Sequence, residues 1–118
     1  MALSLTRIAV YIPKFGRQRD EGVESPVTFY IKIMGATEFR AFSSKISETK
    51  DDSAAMFSEY GKMVSEHVVT IDNLDIEGKA ITDGQTLCAC DEIPNALMTE
   101  IEAAILDVSR IKEEEAKN

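Results

Sequence analysis

The chain has no tryptophan, one histidine, two cysteines and three prolines among its 118 residues. Those shortages exclude several chemistries. A structural zinc site usually offers four ligands, with cysteine pairs two to four residues apart. Cys88, Cys90 and His67 are too few for that. The Cys-x-Cys spacing also suits a disulfide poorly, given the Cβ separation and dihedral that a disulfide requires. Reduced thiols packed in an interior are the expectation. His67 has no cysteine or serine nucleophile motif beside it, and neither a Gly-x-Ser-x-Gly elbow nor a phosphate-binding glycine loop occurs. No catalytic constellation, metal site or cofactor is expected. Asp72, Asp75, Glu77 and Asp83 do not match the ligand order of a twelve-residue calcium loop, so they read as a solvated acidic stretch.

Long apolar runs are missing too: none approaches the roughly 18 residues needed to cross a bilayer. The opening Met-Ala-Leu-Ser-Leu-Thr-Arg lacks a basic segment followed by an apolar one and a small-residue cleavage site. A cytoplasmic protein without a membrane partner is expected. Cations are scarce beyond residue 50, where five lysines and arginines face sixteen acids, net −11, whereas residues 1–50 carry net +3. Nucleic acid is therefore an unfavourable partner for the acidic portion. The asymmetry could steer docking onto a basic partner, or help copies associate head to tail as a homo-oligomer.

What is present fits one small globular domain. The 44% hydrophobic and 29% charged fractions separate it from disordered chains. A single domain over residues 1–112 is expected, with a basic loop at 13–26 and a flexible acidic tail at 113–118. Residues 94–118 carry the strongest periodic signal: Leu97, Ile101, Ala104, Val108 and Ile111 recur at helical spacing, and Met98 and Ile105 widen the stripe. Pro94 suits the first turn. The stripe must lie either on this chain's own sheet or on a partner. Glu100, Glu102, Asp107 and Arg110 fall mostly on the opposite side.

Strict alternation marks residues 27–34 as a strand, and a weaker version marks 5–12. The connection at 13–26 is rich in charge, glycine and proline and contains Arg17 and Arg19, so it reads as an exposed basic loop closing a long hairpin. Thr37 can cap a short helix bearing Phe39, Phe42 and Ile46. Ser53 can cap a second with Met56, Phe57, Tyr60, Val64 and His67 or Val68, weakened by Gly61. Residues 68–76 read as a third strand or an irregular packed segment, and Thr82 to Gln85 as a turn. The fold class is α+β: a small antiparallel sheet packed with two to three helices, the longest at the C-terminus.

Three stretches together resemble the small tail assembly chaperones of long-tailed bacteriophages. They are Val-Thr-Phe-Tyr-Ile-Lys-Ile-Met-Gly-Ala-Thr-Glu at 27–38, the central helix followed by Val-Val-Thr-Ile-Asp-Asn-Leu at 68–74, and the terminal helix with its Lys-Asn ending. The resemblance implies a non-enzymatic protein that holds tape-measure or tail-tube subunits until the tail polymerises, in the host cytoplasm. The apolar stripe and the basic loop make Leu97, Met98, Ile101, Ile105, Val108, Ile111, Arg17 and Arg19 the expected partner-binding residues. Many such proteins have a second, longer form made by ribosomal frameshifting, and Ala-Lys-Asn at 116–118 can be written as a slippery A-rich heptamer. Two other roles fit the same pattern. A virion structural protein of the tail tube or head-tail joint would exchange strands between subunits, and a small regulator would offer its terminal helix to a groove.

Overall fold

The structure, a computed structural model, describes residues 7–117 and the side chains of residues 7–110. Its sheet is organised by the alternation in β2 (Thr28–Lys32). Phe29 and Ile31 turn inward and are completely buried, while Tyr30 and Lys32 turn outward. β1 (Ile8–Tyr11) and β3 (Val68–Asp72) flank β2, both antiparallel, so the order is β1-β2-β3. The expected hairpin between the first two strands is present. Tyr30 pairs with Thr70 but Ile31 pairs with Val68, so Val69 is an extra residue in a β-bulge and stands 48% exposed.

α1 (Ala36–Glu48) starts two residues earlier than its sequence implies, with Gly35 rather than Thr37 at the N-cap. The Phe39 amide bonds to the Gly35 carbonyl, and Thr37 lies within the first turn instead of capping it. α2 (Ser53–His67) is capped by Asp52, not Ser53: the Asp52 carboxylate accepts the Ala55 amide, adding a negative charge at the positive end of the helix. The two helices form a hairpin with little buried in it. α1 has no buried residue, α2 buries only Met63, Val64 and His67, and Phe57, expected in the stripe, is 70% exposed. Phe42 and Tyr60 hold the pair together edge to face, with centroids 5.5 Å apart.

After β3 a small ribbon, β4 (Asp75–Ile76) and β5 (Lys79–Ala80), turns at Glu77 and Gly78. Both have positive φ, 51° and 86°, as the tight hairpin turn that matches strand twist requires. The segment expected as a turn at 82–85 instead opens α3 (Gly84–Ala89). There Asp83 and Thr86 exchange bonds in a capping box, and the Thr86 amide and hydroxyl hold the Asp83 carboxyl below its ordinary pKa.

α4 (Asn95–Lys117) completes the core. Leu97, Ile101, Ala104 and Ile105 join Phe29, Ile31 and Ile71 from the sheet, Met63 and Val64 from α2, and Leu87 from α3 in one cluster. Ser109, 99% buried, accepts the Met34 amide and donates to the Ile105 carbonyl, fastening the end of β2 to α4. All helices of this core lie on the inner face of the sheet. Among the described residues, no helix is long and apolar enough to cross a membrane.

Candidate interaction surface and ligand cluster

The side of the sheet away from the helices carries Ile8, Val10, Tyr30 and Val69. Ile8 is 39% and Val10 63% exposed, and a shallow hollow of about 340 Å³ runs between Ile8, Tyr30, Val69, Thr70 and Asp72. A hydrogen bond to Asp72 raises the Tyr30 phenol above its usual pKa. β1 is also an edge strand. The Ile33 amide donates to the Arg7 carbonyl at 2.8 Å, so antiparallel alternation makes Ala9–Ile31 and Tyr11–Phe29 the bonded pairs. The amide groups of Ile8 and Val10 therefore point outward, and among the described residues no strand pairs with them. A strand edge with uncharged, exposed side chains is a template for a further strand.

No protein-family model matches the chain, and no curated protein or solved structure matches it either. Its functional reading therefore stands on its own geometry and on the resemblance described above.

The residues expected to bind a partner fall in different places. Leu97, Ile101 and Ile105 are at most 3% exposed and pack within the chain's own core, the first of the two places open to the stripe. Met98 and Val108 are half-buried and pack on the same core. Ile111 lies outside the described side chains, as do those of the expected acidic tail at 113–118. Arg19 is engaged internally, donating to the Ile12 carbonyl at 2.6 Å with its guanidinium 5.2 Å from the Tyr11 ring. Arg17 is bonded to Asp20 at 2.7 Å, with its side chain 88% exposed.

The basic loop is anchored where the sequence implied a free surface. Glu100, on the supposed solvent side of α4, accepts the Tyr11 hydroxyl at 2.6 Å and the Lys14 and Phe15 amides at 2.7 and 3.0 Å. Burial alone would raise the Glu100 pKa, but these donors outweigh it and hold the carboxyl below the usual range. Burial, reinforced by the same carboxylate, pushes Tyr11 up to about 12.

A second cluster lies at the base of the α1–α2 hairpin. His67 is 4% exposed, its Nδ1 is 2.8 Å from the Met63 carbonyl, and its Nε2 is 3.1 Å from Glu38 Oε2. Glu66 completes a group whose ligand atoms all lie within 4.8 Å of one another, beside a cleft of about 220 Å³. Sequence spacing could not show it, because Glu38 is brought to His67 by the folding back of α2 on α1. The cysteines contribute no such site: Cys88 is exposed on α3 rather than packed inside, Cys90 is half-buried, and both thiols are free.

Proposed function

We propose that the chain is a non-enzymatic capture protein that pairs the edge of β1 with an extended apolar segment of an assembly-prone partner. In this reading it acts as a tail assembly chaperone of a long-tailed phage on tape-measure or tail-tube subunits. The observation that carries the proposal is the β1 edge, whose Ile8 and Val10 present outward amides and exposed apolar side chains together. Main-chain pairing supplies affinity with little demand on partner sequence, and alternate side chains add selectivity. Such a contact suits a protein that must hold a subunit and later release it to its polymer. The resemblance at residues 27–38, 68–74 and the C-terminal helix supplies the tail proteins as the partner class.

Val10→Pro tests the edge directly. Proline removes the outward amide while leaving the Ala9 and Tyr11 bonds to β2 in place, so the fold should survive. Co-expressed tail-tube or tape-measure subunits should co-purify with the parent chain and with Phe57→Ser, but be lost from Val10→Pro. A folded Val10→Pro that still captures them would overturn the edge as the binding site. Purified particles test the role: a chaperone is absent from the mature virion, whereas many copies per particle would make the chain a structural protein.

A further inference from the structure

We propose that Glu38, Glu66 and His67 bind a divalent first-row transition metal ion, with zinc as the probe, and that the ion ties the base of the α1–α2 hairpin. Two independent features point there. The first is convergence: one imidazole nitrogen and two carboxylates from opposite ends of two helices meet within 4.8 Å.

The second is the state of the imidazole. A carbonyl oxygen can only accept, so Nδ1 at 2.8 Å from the Met63 carbonyl must carry the proton and donate it. In the neutral ring Nε2 is then a bare lone pair, held in a buried side chain and aimed at a carboxylate oxygen 3.1 Å away. Two acceptors at that distance repel unless a cation, either a proton on Nε2 or a metal ion, joins them. Fixing one ring nitrogen on a backbone carbonyl is also how proteins orient a metal-binding histidine.

The dimensions agree. Two ligand atoms about 2.1 Å from a shared tetrahedral or octahedral ion are about 3.0–3.4 Å apart, which spans the separation of Nε2 and Glu38 Oε2. Glu66 is exposed, and its carboxylate lies within 4.8 Å of the other two ligand atoms. Imidazole with two carboxylates suits zinc and its first-row neighbours, and leaves positions open for water. Lys62, which also borders the cleft, is drawn toward Glu59 at 3.5 Å. The site adds a cross-link where the fold has few: α1 buries nothing, so an ion joining its first turn to the last turn of α2 would restrain the hairpin.

The experiment uses the whole chain in a Cys88→Ser/Cys90→Ser background, so that thiols cannot compete for the probe. Zinc is titrated while the imidazole resonances of the sole histidine are followed, with calorimetry giving the stoichiometry. The expected result is one saturable zinc per chain, displaced histidine signals, and a thermal midpoint that rises with zinc. Glu38→Gln and Glu66→Gln, both at exposed positions, should keep the fold and weaken binding by roughly tenfold or more. Three results would overturn the site: no saturable zinc, zinc bound equally by both variants, or histidine signals that respond to pH but not to zinc. The last would mean that a proton alone joins His67 to Glu38.

Discussion

Gly84 stands where α3 lies directly on the backbone of α2, and a built Cβ there would be 2.5 Å from the Val64 carbonyl oxygen and 2.8 Å from that of Ser65. Neither atom can rotate away as a side-chain tip would. Gly84→Ala should therefore push α3 off α2, cancelling alanine's better helix propensity. Overpacking of this kind typically costs about 1–3 kcal/mol. Denaturant unfolding checks it, and a variant as stable as the parent would show that the two helices separate at no cost. The cap beside it explains why such a short helix forms at all, since Asp83 and Thr86 satisfy the amides that a six-residue helix would otherwise leave unpaired.

The loop between β1 and β2 is an element held by one residue far away in sequence. Glu100 receives two hydrogen bonds from the loop's backbone and a third from Tyr11 at the end of β1, and its carboxyl titrates below the ordinary range. A depressed carboxyl stabilises the fold above its unfolded pKa of about 4.3, and the contribution disappears as pH falls through the folded value. Acidification through that lowered value, below about pH 4.3, should therefore release the loop, with faster hydrogen exchange at the Lys14 and Phe15 amides. Glu100→Ala should do the same at pH 7 and cost about 1–3 kcal/mol. Unchanged exchange at both amides in that variant would mean that the loop is held elsewhere. At alkaline pH the Tyr11 partner sets the opposite limit: a phenol raised to about 12 stabilises below pH 10 and is lost through 12.

The same elements show what a sequence makes legible. β2 and α4 were readable because each has a long periodic face, and both faces are buried as the period implies. Phe57 broke the rule because the outer half of the α1–α2 hairpin has no core to face. α3 looks like a turn in the sequence because six residues are too few for a period, and its docking depends on a glycine against a distant backbone. Glu100 looked like a solvent residue because its donors are more than eighty positions away. The His67 cluster and the outward amides of β1 were equally hidden, since both depend on which strands and helices become neighbours.

At the scale of the whole molecule, among the described residues, the helices cover one face of the sheet and leave the other and the β1 edge uncovered, which separates the stabilising surface from the surface proposed to bind. Ile101, completely buried in the centre of α4, tests that separation. A domain of this size is stable by about 5–15 kcal/mol. Burying an unpaired carboxylate among Phe29, Ile31 and Val64 should remove about 4 kcal/mol or more of that. Ile101→Asp should therefore lose its cooperative melt by circular dichroism, and lose capture only because the fold is lost. Ile101→Val makes the milder change, costing about 0.5–1.5 kcal/mol while keeping the chain folded. Capture through the β1 edge should then be unaffected, whereas a folded Ile101→Val with impaired capture would return the α4 stripe to the partner. An Ile101→Asp variant that melts like the parent but fails to capture would do so more strongly, because it would show that position 101 faces outward when the protein works.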